Sequence, residues 1–126
     1  MRILGFSKKW SKLEEPEFTT FRFPRKDKDW QVGELVQIVF KPRQKGGGER
    51  LGVAKIINKQ LRAMARHGNK LPYPIVSNAE AEKDGFSSIA NRQAYFVMWE
   101  FLWDYYGGKR LLEEPMNKLT LRWFSP

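Results

Sequence analysis

The chain has 126 residues and a mass of 14.9 kDa, enough for one domain with a real core and too little for two ordinary ones. It contains no cysteine, which excludes disulfides, thiolate metal sites and cysteine nucleophiles, and no apolar run approaches the roughly 18 residues of a membrane span. Lys and Arg number 23 against 14 Asp and Glu, a net charge of +9, and the excess is uneven: residues 1–70 carry 17 cations and 7 anions, residues 71–126 carry 6 and 7. Such asymmetry points to a polyanionic partner, nucleic acid above all, against the plainer reading of a basic solubilising surface. Met1 to Lys9 holds too short an apolar stretch for a signal peptide, so a cytoplasmic location is the expectation.

In chain order, Arg2–Phe6 reads as an opening strand. Phe18–Phe23 is a better one, its Phe and Thr content and its alternation favouring a pleated, half-buried surface before Pro24 stops it. Leu35–Phe40 is dense in β-branched residues, and Leu51–Lys59 is its antiparallel partner across a connection that holds Gly46, Gly47 and Gly48. Those glycines lack the Lys-Ser/Thr ending and the spacing of a phosphate-binding loop, so they read as a hairpin tip. Pro72 and Pro74 mark a loop. Ser77 is placed to cap a short helix over Asn78–Asp84 ended by Gly85, and Ser87 or Ser88 to cap a longer one running to Tyr106 and closed by Gly107 and Gly108. Phe96, Trp99, Trp103 and Tyr106 share one stripe of that helix, with Met98 and Leu102 beside it, and read as core. Leu119–Phe124 closes the chain as a strand. The order predicts a single α+β domain over residues 1–126, a small barrel with flanking helices.

His67 is the only histidine, so a Ser-His-Asp triad or a multi-histidine metal site is not available; it reads as a loop residue on a basic surface. No metal and no cofactor is expected. Between Lys8 and Arg43, cations alternate with flat rings: Lys8, Lys9, Trp10, Lys12, Phe21, Arg22, Arg25, Lys26, Lys28 and Trp30. Cations for phosphates and rings for bases are what single-stranded nucleic-acid grooves use. Trp30, beside a strand entry, reads as core. Thr20 and Arg22 share one strand face. Arg22 either makes a forked contact with a phosphate or base edge, or pairs with Glu17 or Glu34 in a structural bridge, and strand polarity alone does not choose.

The stretch Thr19-Thr20-Phe21-Arg22, a charged turn, and then Trp30-Gln31-Val32-Gly33-Glu34-Leu35-Val36-Gln37-Ile38 resembles the front end of an ASCH domain, in the PUA-like superfamily. Leu51–Ile56, the acidic Ala79–Phe86 segment, the helix with Trp99-Glu100-Phe101-Leu102 and the last strand continue the likeness in order, over nearly the whole chain. The resemblance implies a small PUA-like mixed β-barrel with flanking helices, and a cleft for RNA or a modified nucleotide. Gly33 would then serve a tight strand entry with positive φ. The family motif Gly-x-Lys-x-x-Glu/Thr-x-Arg falls here on Glu15, Glu17, Thr20 and Arg22; the last two match, the first two depart. Some branches resemble amidohydrolases of acylated cytidines, or ribonucleases, in which Lys, Thr and an acid on the short helix form the site. Here the acid would be Asp84 or Glu82, and Lys8, Lys9 or Lys12 would have to replace the missing ammonium. A glutamate at the lysine position cannot polarise a carbonyl, so the implied function is an RNA-binding module. A hydrolase of the same fold is the alternative and a protein-interaction adaptor the second. No membrane partner is expected.

Overall fold

A computed structural model describes residues 1–43, 46–66, 68 and 73–125; His67, Asn69 and Pro72 lie outside the described residues. The fold is mixed α/β, with a five-stranded mixed sheet and three short helices. The strands are β1 (Arg2–Phe6), β2 (Glu17–Arg22), β3 (Leu35–Phe40), β4 (Glu49–Arg62), a short pair β5 (Ala65–Arg66) and β6 (Tyr73–Pro74), and β7 (Met116–Ser125). The helices are α1 (Asn78–Lys83), α2 (Ala94–Tyr106) and α3 (Gly108–Glu113). The main sheet runs β1-β3-β4-β7-β2, with β1 parallel and β4 antiparallel to β3.

The chain forms two compact units. The first comprises Met1–Thr20, Arg25–Lys59 and Leu119–Pro126, the second Phe21–Pro24 and Gln60–Lys118. In the first, alternation does the work the sequence suggests. Leu4, Phe6, Phe18, Val36, Ile38, Ala54, Ile56, Leu119 and Leu121 close on Trp30 as one buried cluster. Trp30 is core, as expected, at 4% exposure. Gly33 has φ +93 and its N–H donates to the Ile56 carbonyl at 2.7 Å, fixing the entry to β3. A Cβ there would touch nothing, so positive φ is the whole reason for glycine. The β3–β4 pair is the predicted hairpin. Its register slips by one residue between Ile38 and Val39: Ile38 pairs with Gly52 and Val39 with Arg50, leaving Leu51 in a bulge.

Four expectations in the second unit need correction. Pro74 belongs to a strand, paired with Ala65, rather than to a loop. α2 begins at Ala94 and not at Ser87 or Ser88, because Ile89 and Arg92 exchange backbone hydrogen bonds of 3.0 and 2.9 Å in a tight turn. Of the stripe read as core, Trp99 is buried, as are Met98 and Leu102 beside it, but Trp103 and Tyr106 are half-buried, Phe96 is 39% exposed, and Ala94 completes the buried face. That face is set by α1, α3 and β6, which pack against α2. Lastly, Gly107 (φ +90) does end α2, but Gly108 starts a further helix, α3. A Cβ on Gly108 would lie 2.1 Å from the Trp103 indole, so the glycine makes room for that ring.

The hairpin tip offers a test. Gly46 and Gly48 both have positive φ, but only at Gly48 would a Cβ collide, 2.4 Å from the carbonyl oxygens of Phe40 and Lys41. Gly46→Ala should cost about 1 kcal/mol for its φ alone, and Gly48→Ala about 2 kcal/mol or more. Equal melting temperatures for the two variants would show that the tip re-forms without strain.

Candidate functional site

In the second unit the chemistry gathers around Arg22, the last residue of β2. Its side chain keeps some contact with solvent, yet its charged group is set deep. Desolvation pulls the guanidinium below its ordinary pKa, opposed by the negative potential of Tyr106, Asp84 and Tyr105. Of the structural partners expected for Arg22, Glu17 pairs with Arg122 at 2.9 Å and Glu34 is gripped by Arg2, both within the first unit. Burial also raises the Tyr106 phenol, with Arg22 and Arg110 acting against that rise. The Phe23 ring meets Tyr106 edge-on at 4.9 Å, and the Arg110 guanidinium lies 3.8 Å from the Phe23 ring centre. Of the two candidate acids, Asp84 is buried at 6% exposure and Glu82 is exposed. A guanidinium, a carboxylate and two phenols are thus brought within electrostatic reach of one another in the second unit.

Asp84 holds its place because α1 is pinned at its other end. Ser77 and Glu80 form the capping box that the sequence predicts for Ser77. Glu80 also receives both terminal nitrogens of Arg62 and the Lys118 ammonium, the latter at 2.6 Å. Arg62 first, then Lys118 and the Ser77 backbone N–H, hold the Glu80 carboxyl down to about 2. No local pattern announces this cluster, since Arg62 and Lys118 lie 18 and 38 positions from Glu80.

In the first unit the structure separates the expected cationic residues into two kinds. Lys8 is exposed, its ammonium 4.5 Å from the centre of the Trp10 ring; Lys26 and Lys28 are exposed too. Lys9 pairs with Glu49 at 2.9 Å and Arg25 with Asp27 at 3.2 Å. Lys12 is buried at 6% exposure, donating to the Thr19 carbonyl at 2.8 Å with its ammonium 5.3 Å from the Phe6 ring centre. Thr20 is buried on β2 at 4% exposure. Arg2, which sequence reasoning passed over, grips Glu34 through two 2.6 Å contacts and donates to the Asp29 carbonyl, while lying 4.5 Å over Trp30. A charged residue at a strand start carries no pattern that would have announced this.

An open groove of about 650 Å³ lies in the same unit. Its apolar walls are Trp10, Leu13, Leu51, Trp123 and Phe124; Lys9, Ser11 and Glu14 are its polar members. Among the described residues no cluster of three His, Cys, Asp or Glu is placed to hold a metal, and no helix is long and apolar enough to cross a membrane. No family model, curated protein or solved structure matches the chain.

The Glu80 cluster has a pH signature. Its folded pKa of about 2 lies below the ordinary 4.5, so the contribution is complete above pH 4.5 and is lost as pH falls toward 2. Glu80→Gln should cost about 2 kcal/mol at neutral pH, where it strands two cations, and should flatten the loss of stability between pH 5 and 2. Urea melts across that range, with an unchanged acid slope in the variant, would refute this account.

Proposed function

We propose that this protein is an RNA-binding module of the ASCH/PUA-like type, holding single-stranded RNA or a modified nucleotide. The observation that carries the reading is the charge left over after internal pairing. The first unit contains 14 Lys and Arg against 7 Asp and Glu. Five of those carboxylates, Glu17, Asp27, Asp29, Glu34 and Glu49, are already paired within the unit. Lys8, Lys26, Lys28, Lys41, Arg43 and Lys55 are exposed and form no ion pair among the described residues. A surface so arranged gains by releasing the counterions of a polyanion.

Two features support the barrel part of the reading. β1 and β2 are the outermost strands of the sheet order, yet the Phe6 and Phe18 rings meet edge-on at 6.3 Å. Lys12 spans the same gap, from the Phe6 ring to the Thr19 carbonyl. Contacts between edge strands of this kind are what a sheet curling toward closure would make. In the second unit, Arg22 offers a selective contact of its own, since its planar fork suits a phosphate or the edge of a base better than an ammonium would.

RNA affinity measured against salt tests the proposal. It should fall with a log–log slope of about 0.7 per phosphate neutralised. Lys26→Ala should weaken all RNAs alike, whereas Arg22→Gln should cost about 1–3 kcal/mol for the preferred ligand alone, with folding of each variant checked. Affinity weaker than about 100 μM at low salt for every RNA, or tight binding indifferent to salt, would discard the reading and leave an adaptor. Turnover of an acylated cytidine, abolished in Thr20→Ala, would promote the hydrolase instead.

A further inference from the structure

We infer that the groove between Trp10 and Phe124 in the first unit is a stacking subsite for the bases of single-stranded nucleic acid. This inference rests on the RNA-binding reading and adds a place and a chemistry to it. The groove's roughly 650 Å³ falls within the 300–1,000 Å³ usual for small-molecule sites, room for a base with its sugar. Three of its walls are flat rings.

Those rings are set before any ligand arrives. Trp123 packs on Phe18 with centroids 5.4 Å apart, and its indole N–H donates to the Leu13 carbonyl at 3.0 Å. Trp10 and Trp123 are both partly buried against the core cluster, so ordering them costs little more on binding. Phe124 differs from them: it is 67% exposed, a large apolar ring left in water at the groove wall. Burying it against a base recovers that area.

The charges say which occupant fits. An apolar peptide would suit the rings, but the unit around them carries twice as many cations as anions. Lys8 holds its ammonium 4.5 Å from the centre of the Trp10 ring, close enough to this wall to meet the phosphate of a nucleotide whose base lies against Trp123 and Phe124. Glu14, also on the wall, is an acceptor and suits the amino donors of a base rather than a phosphate. A duplex hides its base faces, so only single strands can use the rings.

The test uses the full chain with three probes: a labelled single-stranded RNA of ten nucleotides in mixed sequence, its blunt duplex, and inorganic polyphosphate. Phe124→Ala should weaken the single strand at least about fivefold, leave polyphosphate and the melting temperature unchanged, and erase the preference over duplex. Lys8→Gln should weaken single strand and polyphosphate alike. Unchanged single-strand affinity in Phe124→Ala, with steep salt dependence retained, would overturn the subsite and leave the RNA-binding reading standing. Failure of the unsubstituted protein to bind any RNA would remove both. Salt-resistant capture of an apolar peptide that Phe124→Ala abolishes would overturn the subsite in favour of a protein partner.

Discussion

One ammonium, kept out of water, fixes much of the first unit. Lys12 gives its charge to the Thr19 carbonyl and rests on the Phe6 ring. Burying a cation is costly unless it is hydrogen-bonded and has favourable company, and here it has a carbonyl and the negative faces of Phe6 and Trp10. Its placement sets the 3-10 turn Ser11–Glu14 in which it lies. That turn in turn fixes Leu13, whose carbonyl receives the Trp123 indole. Without the ammonium, a β2 carbonyl would lose its donor and the turn its anchor.

The second unit depends on a different economy. Its key acid, Glu80, is not buried in apolar surroundings but surrounded by donors: Arg62, Lys118 and the Ser77 backbone N–H at its own helix N-terminus. The cluster joins β4, β7 and α1 through charge, so α1 needs only six residues and a single buried alanine, Ala81. A helix this short is marginal by itself. Its cap and its ion pairs make it definite, and Asp84 inherits that order at the helix end.

The sequence was most legible where periodicity and local chemistry agree. All five strands of the main sheet, the Ser77 cap, the Gly33 entry and the buried Trp30 follow from alternation, capping and a demand for positive φ. Less legible were features made by partners distant in sequence. The double glycine at 107 and 108 reads as a stop, and nothing local says that Gly108 instead lets a new helix start under Trp103. The buried face of α2 turns on Ala94, a small residue that an aromatic stripe conceals. In the candidate site, cationic residue types were visible, but which of them is surface and which is core was not. Lys8 and Lys12 are four residues apart and have opposite fates.

The first unit is assembled from three separated stretches, and its buried cluster takes Leu119 and Leu121 from the last of them. A chain made from its N-terminus offers β1 and β3 to one another early, but β4 and β2 lack the strand that joins them until β7 has emerged. Contacts of such long sequence separation form slowly, because loop closure must precede the reward. The nascent chain therefore carries two unsatisfied strand flanks, rich in apolar side chains, throughout synthesis of the whole second unit. Its hazard is premature pairing with a neighbouring chain, and shortening the protein from its C-terminal side should raise that hazard faster than it lowers the helix content.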